Sequence, residues 1–409
     1  MDLHLAASRV NSASEIKIGG SKSETNRLLL LQALYPEIGL ENTSEADDSE
    51  VMRQAIQGND SLIDIHHAGT AMRFLTAYFA MQPNREVVLT GSDRMKERPI
   101  QILVDALRHL GAAIEYAEKE GFPPLRIKGS KLLGGNISLA ADVSSQFITA
   151  LLLIAPKLGN GLQLTLNGRI TSMPYILMTL GLLRQIGVQT EFVGNTITVP
   201  NRSVLAPVAL AVESDWSSAS YFYSIVALSE IGTTIALSHF GENSLQGDRA
   251  LAEIYQNFGV GTTFDSNKIM LQKTAHPVSG HLLLDLNETP DIAQTIAVTC
   301  FGLGIGCELT GLHTLKIKET DRLTALQNEL TKLGATVSVT RDRLTLEAST
   351  AIRPDVKIET YNDHRMAMAF APLALKVPIV IQYAEVVSKS YPNFWNDLES
   401  IGFKISQGE

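Results

Sequence analysis

Residues 320–348 read TDRLTALQNELTKLGATVSVTRDRLTLEA. Leu323, Leu326, Leu330 and Leu333 recur at the spacing of one helix face, and Gly334 stands where such a helix closes. Beyond the glycine the period changes to two. Val337 and Val339, then Leu344 and Leu346, flank the polar Arg341–Arg343, which predicts a strand pair. Five other segments have the same glycine-ended helix pattern: DDSEVMRQAIQG, RPIQILVDALRHLG, MPYILMTLGLLRQIG, GDRALAEIYQNFG and NFWNDLESIG, closing at Gly58, Gly111, Gly187, Gly259 and Gly402.

A second kind of helix alternates with these. It is short, apolar, and opens with small polar or charged residues, as in SKSETNRLLLLQAL, AGTAMRFLTAYFA, SSQFITALLLIAP, SSASYFYSIVALS, TPDIAQTIAVTCFG and NDHRMAMAFAPLAL. Aligned near residues 22, 70, 146, 218, 292 and 364, the openings lie 48, 76, 72, 74 and 72 residues apart. The unit is helix, strand, helix, strand pair, present six times with a short first copy. An α/β protein of two similar domains follows, split three plus three. The expected domains are residues 20–212, and residues 1–19 with 213–409, where the N-terminal LHLAAS supplies the strand that the sixth unit lacks. A length of 409 residues suits two domains at ~100–200 residues each.

Composition narrows the function. Hydrophobic residues make up 45%, enough for a large core and against disorder. Lys and Arg number 34 against 43 Asp and Glu, a net charge of −9, which argues against sequence-independent binding to nucleic acid or an anionic membrane. Two cysteines, Cys300 and Cys307, cannot build a disulfide framework or a Cys-rich zinc module, and both read as core thiols. MDLHLAASRV is too short and polar for a signal peptide, and no apolar run reaches a bilayer span. A cytoplasmic monomer is expected.

The cations are concentrated at helix openings: Lys22 and Arg27, Arg73, Arg94 with Lys96 and Arg98, Lys318 and Arg322, Arg365, and Lys389. A helix N-terminus already carries about +0.5 charge, so cations there are unfavourable unless an anion lies in front. Equivalent helices of a repeat point the same way. The expectation is therefore helix N-termini facing a positive cleft between the domains, inside a net-acidic chain.

Ten short motifs occur in order: GSKSETNR (20–27), HAGTAMR (67–73), DRMKERPI (93–100), SSQFITALL (144–152), SMPY (172–175), SDWSSASYF (214–222), PDIAQT (290–295), KIKETDRL (316–323), YNDHRMAM (361–368) and SKSYPNFW (388–395). Together they resemble the 5-enolpyruvylshikimate-3-phosphate synthase family of enolpyruvyl transferases, over residues 19–395. The resemblance implies two domains of three βαβαββ units each. It implies transfer of the enolpyruvyl group of phosphoenolpyruvate to the 5-hydroxyl of shikimate 3-phosphate, on the route to chorismate and aromatic amino acids, with no metal and no organic cofactor.

Residue by residue, the resemblance makes Asp291 the base for the hydroxyl and Glu319 a proton donor to the methylene carbon, with Lys22 and His364 as further candidates for that proton. It places Lys22, Ser23, Arg27, Ser144, Ser145, Gln146, Ser172, Tyr175, Asp291 and Lys318 on shikimate 3-phosphate. It places Lys22, Gly69, Arg94, Gln146, Arg322, Arg365 and Lys389 on phosphoenolpyruvate. These residue types suit two reactants that each carry a phosphate and a carboxylate: fixed cations overcome the repulsion, and bidentate Arg matches both groups. Addition followed by elimination needs acid–base groups on different sides of the intermediate. Asp321 reads as a partner of the following helix rather than a catalytic group.

Three positions depart from the family pattern: His67 for Asn, Phe74 for Pro and Thr314 for Asn. The first two are expected to reshape the wall near phosphoenolpyruvate. Gly69 leaves room beside the phosphate, which implies sensitivity to the longer analogue glyphosate. Two alternatives remain. A transferase acting on UDP-N-acetylglucosamine would carry a reactive Cys near 93–98, where this chain reads DRMKER. A non-catalytic anion-binding scaffold would have no use for Asp291 and Glu319 among cations.

Overall fold

The computed structural model describes residues 1–141, 144–168, 170, 173–278 and 280–408. The fold is mixed α/β, in two compact units: residues 20–212, and residues 1–19 with 213–409.

In the 20–212 unit three buried helices pack on one another: α1 (Lys22–Leu34), α2 (Gly69–Ala80) and α3 (Ser145–Ile154). They are apolar on nearly every side, with Leu28 to Leu31 and Ile148 to Ile154 all buried, so they have no solvent face to offer and become the core. Their polar side chains are concentrated toward the N-terminal ends, with Thr76 and Thr149 buried farther along. Strands wrap around them. One sheet runs Leu62–Asp64, Glu86–Thr90, Leu125–Lys128, Ala113–Tyr116, and a second Glu191–Val193, Thr196–Val199, Leu162–Asn167, Gly135–Ala140. The short first repeat has a two-stranded sheet, Ile38–Glu41 parallel to Val208–Ala211.

The other unit repeats the plan with α4 (Trp216–Leu228), α5 (Ala293–Leu303) and α6 (His364–Phe370). Its sheets contain four strands each, and Leu3–Ala6 lies between Ile379–Ile381 and Lys404–Gln407, antiparallel to both. Among the described residues every four-stranded sheet combines one parallel and two antiparallel pairings. A parallel pair needs a crossover, and the buried helix provides it: α2 between Leu62–Asp64 and Glu86–Thr90, α5 between His281–Asp285 and Gly306–Thr310.

The 320–348 stretch forms the helix Arg322–Lys332, then strands Val337–Val339 and Leu344–Leu346 paired antiparallel. Gly334 takes φ 106°, in the left-handed region. Gly58 does not: it ends its helix extended, at φ −77° and ψ 163°, where an added methyl would meet the Gln54 carbonyl oxygen at 2.9 Å. The GDRALAEIYQNFG segment is not one helix but a 3-10 turn, one α-turn and a second 3-10 turn. Cys300 and Cys307 are free and buried together, and burial pushes the Cys300 thiol well up. No helix of the described residues is long and apolar enough to cross a membrane.

Candidate active site

In the 20–212 unit the helix openings carry a group of charged and polar side chains. Lys22 is the first residue of α1, and its Nζ donates to Asp48 Oδ2 at 3.1 Å. One turn on, Arg27 is 3% exposed. Its Nε donates to Thr179 Oγ1 at 2.9 Å, one Nη to the Ser23 carbonyl at 2.7 Å and the other to Thr149 Oγ1 at 3.4 Å. The guanidinium lies between the rings of Phe74 (5.6 Å) and Tyr175 (5.8 Å). Burial lowers its pKa to about 10, so the charge survives at neutral pH on hydroxyl, carbonyl and ring partners. Phe74 therefore faces Arg27.

Ser144 caps α3, its Oγ accepting the Gln146 N–H at 3.4 Å, and Ser145 is the helix's first residue. Gln146 Nε2 donates to Thr70 Oγ1 at 3.2 Å, which brings the starts of α2 and α3 together. Ser172 lies outside the described residues.

Arg94 is placed differently from the expectation. It is exposed on the short helix Asp93–Lys96 and pairs with Glu97 at 3.0 Å. Arg98, four residues on, lies over Gly69, the first residue of α2. Buried Arg73 fastens this corner, donating to the Gly69 carbonyl at 3.1 Å and to the Pro99 carbonyl at 3.4 Å. Burial, and then Arg98, hold the Arg73 pKa well below its usual value. His67 Nδ1 shares a hydrogen bond with Ser92 Oγ at 2.9 Å.

In the other unit the charges gather on Arg322, 1% exposed at the start of its helix. It donates through Nη1 to Asp291 Oδ1 at 2.8 Å, through Nη2 to Glu319 Oε2 at 2.8 Å, and through Nε to Asp363 Oδ2 at 2.7 Å. Burial works against its charge, but Asp363, Glu319 and Asp291 together more than offset this and raise its pKa. Asp291 sits on the turn Pro290–Ile292 ahead of α5, 8% exposed. Besides Arg322 it has Lys318 Nζ at 3.4 Å and Arg365 Nη2 at 3.6 Å. Asp363 caps α6, accepting the Arg365 N–H at 2.9 Å, and His364 is buried beside it. Lys389 Nζ reaches the Asn362 carbonyl at 2.7 Å, next to the same cap. Asp321 accepts the Thr324 N–H at 3.1 Å and is a helix cap.

Asp291, Glu319, Lys318, Arg322 and Arg365 thus form one cluster, with His364 and Lys389 at its edge. Sequence reasoning did not assign Arg98, Asp48 or Asp363. For Asp363 a signal existed: an Asp directly before a helical stretch is a strong N-cap. For Arg98 none did, since DRMKER offers three cations and only the turn at Glu97 decides which faces Gly69. Such a cluster can bind several anionic groups and move protons between carboxylates and a bound hydroxyl or carbon. Among the described residues no group of three or more His, Cys, Asp or Glu is arranged for a metal ion.

The chain's likenesses to known proteins agree with this chemistry. Residues 37–398 match the family model described as EPSP synthase (3-phosphoshikimate 1-carboxyvinyltransferase). A 3-phosphoshikimate 1-carboxyvinyltransferase of Bacteroides fragilis is 46% identical over 398 residues, 96% of each chain. One from Haemophilus influenzae is 37% identical over 423 aligned positions, 95% of this chain and 96% of the relative. The structure of EPSP synthase from Acinetobacter baumannii superimposes with a TM-score of 0.80 at 22% identity, over 99% of this chain and 100% of that one, a likeness of fold. A match that runs nearly end to end and spans the Gly69, Arg322 and Arg365 openings settles the affiliation: this chain belongs to the EPSP synthase (3-phosphoshikimate 1-carboxyvinyltransferase) family.

Proposed function

We propose that this protein joins phosphoenolpyruvate to the 5-hydroxyl of shikimate 3-phosphate and releases phosphate, in the route to chorismate. The observation that carries this reading is Asp291, a buried carboxylate within reach of Lys318, Arg322 and Arg365. A surface that only held anions would lose affinity by keeping a carboxylate there.

In this reading Asp291 takes the proton of the 5-hydroxyl as its oxygen bonds to C2 of phosphoenolpyruvate. A carboxylate shared by cations is a weak base. Arriving phosphate and carboxylate groups engage those same cations and loosen their hold on Asp291. Glu319, Lys22 or His364 delivers a proton to the methylene carbon. In the second half the methyl group returns a proton to the group that supplied it, the C2–O bond to phosphate breaks with its electron pair leaving on the phosphate oxygen, and Lys22 neutralises the leaving phosphate.

Shikimate 3-phosphate is assigned Lys22, Ser23, Arg27, Ser144, Ser145, Gln146, Ser172 and Tyr175 from the 20–212 unit, and Asp291 and Lys318 from the other. We read the chain as two domains of three repeats each. For phosphoenolpyruvate the geometry favours Arg98 over Arg94, with Lys22, Gly69, Gln146, Arg322, Arg365 and Lys389. No metal or organic cofactor enters the scheme.

The test is phosphate release from phosphoenolpyruvate with either acceptor. Turnover with shikimate 3-phosphate is expected, and Asp291→Asn should lower kcat by about 100-fold or more while binding changes little. Release only with UDP-N-acetylglucosamine would overturn the assignment. Ligand binding without turnover by the parent would favour the scaffold.

A further inference from the structure

Asp248 is a buried carboxyl, 7% exposed, with no part in the scheme above. It lies on the 3-10 turn Gly247–Ala250. The preceding Gln246 fixes that turn against the start of α4: its Oε1 accepts the Trp216 N–H at 2.9 Å and its Nε2 donates to the Ser214 carbonyl at 2.9 Å. Glu213 fastens the same loop, accepting from Trp216 Nε1 and the Gly241 N–H, both at 2.9 Å, and from the Ser244 hydroxyl. Ser217, in the first turn of α4, donates its hydroxyl to Asp248 Oδ2. The Ser217 Oγ in turn accepts from Arg365 Nη2 at 3.3 Å, and that nitrogen stands 3.6 Å from Asp291 Oδ2.

An unbroken line therefore runs Asp248, Ser217, Arg365, Asp291, joining the starts of α4, α5 and α6. A hydroxyl whose hydrogen is committed to a carboxyl oxygen, ionised or protonated, turns a lone pair toward its other neighbour, so Asp248 strengthens the bond that holds Arg365. An Arg side chain has many rotamers, and one already fixed toward its ligand binds it more tightly.

We propose that Asp248 is a positioning residue: through the hydroxyl of Ser217 it holds the Arg365 guanidinium beside Asp291 and thereby sets the affinity for phosphoenolpyruvate. This rests on the enolpyruvyl-transfer reading. The groups facing Asp248 are Asp291, Arg365, Ser217 and Asp215, the N-cap of α4, while Arg249 of its own turn pairs with Glu253 at 2.6 Å. Burial, then Asp291, push the Asp248 carboxyl up to about 7, against the pull of Ser217 and Arg365. Near neutrality the group changes charge without losing its bond to Ser217. Ionised, it competes with an incoming anion for Arg365; protonated, it no longer does. Phosphoenolpyruvate affinity should therefore weaken as pH rises through 7.

The experiment measures kcat and both KM values for the full chain between pH 6 and 8.5. Ser217→Ala and Asp248→Ala should raise the phosphoenolpyruvate KM about 10-fold, with kcat and the shikimate 3-phosphate KM changed less than about threefold. Asp248→Asn keeps shape and bonding, so it should retain the parent KM at pH 6 and lose the parent's rise toward pH 8.5. Ser217→Ala removes one oxygen from a helix surface and decides the matter if Asp248 variants do not fold. A phosphoenolpyruvate KM within about twofold of the parent in Ser217→Ala, or an equal rise in both KM values, overturns the proposal. A parent without turnover on the two substrates would instead fault the reaction reading, and this inference would fall with it.

Discussion

Arg98 lies so close over Gly69 that a methyl group built on the glycine would stand 2.5 Å from one guanidinium nitrogen and 3.0 Å from Cζ. Gly69 opens α2, and the atoms it would strike belong to the end of a flexible side chain. Gly69→Ala should therefore fold with a melting temperature within about 2 °C of the parent. Its cost should appear in binding, as Arg98 swings away from the helix start. We expect the phosphoenolpyruvate KM to rise about tenfold and inhibition by the longer analogue glyphosate to weaken by a larger factor. Equal inhibition of variant and parent in a steady-state assay would remove the steric argument.

Arg94 and Arg98 make a sharper comparison. Arg94 is exposed, and its pair with Glu97 is a surface ion pair, which contributes at most about 1 kcal/mol. Arg94→Ala should leave the phosphoenolpyruvate KM within about threefold of the parent, whereas Arg98→Ala should raise it by about 30-fold or more, as loss of a charge-assisted contact does. The reverse ranking would return the site to Arg94.

This pair also marks the limit of what the sequence made legible. Period and closing glycines announced the helix at Arg322–Lys332 and its strand pair, because amphipathic spacing and glycine chemistry are local. They failed at GDRALAEIYQNFG, whose apolar spacing fits a helix although the backbone tightens to 3-10 at both ends. The motifs identified Asp291, Glu319, Lys318, Arg322 and Arg365. That Asp291 and Glu319 share the Arg322 guanidinium, and that Asp363 completes the set, depends on contacts across 31 and 41 residues. Partner choice over such separations is made by packing of the buried helices and is invisible to any window of sequence.

Arg322 carries three carboxylates while almost wholly buried. Replacing it by Met, of similar length and no charge, strands Asp291, Glu319 and Asp363 without their shared cation. Removing one partner from a buried ionic cluster costs about 3–5 kcal/mol. Urea unfolding at pH 7 should show a loss of that size for Arg322→Met, together with loss of turnover. A variant as stable as the parent would mean that the cluster's charges are compensated elsewhere.

Asp248 gives a stability signature that is independent of catalysis. Its folded-state pKa, about 7, lies above the ordinary 3.8, chiefly through burial. Ionising it is therefore harder in the folded chain than in the unfolded one. The stability it contributes is fully present below the unfolded value and is lost as pH rises from about 4 to about 7, with no further change above. About three pKa units correspond to about 4 kcal/mol over that whole window. Asp248→Asn cannot ionise and has no such slope. Between pH 5 and pH 8 the stability of the variant relative to the parent should improve by about 2–3 kcal/mol in urea unfolding. Superimposable pH dependences would mean that Asp248 already ionises freely at pH 5, and would withdraw the charge change near neutrality on which the pH dependence of phosphoenolpyruvate affinity rests.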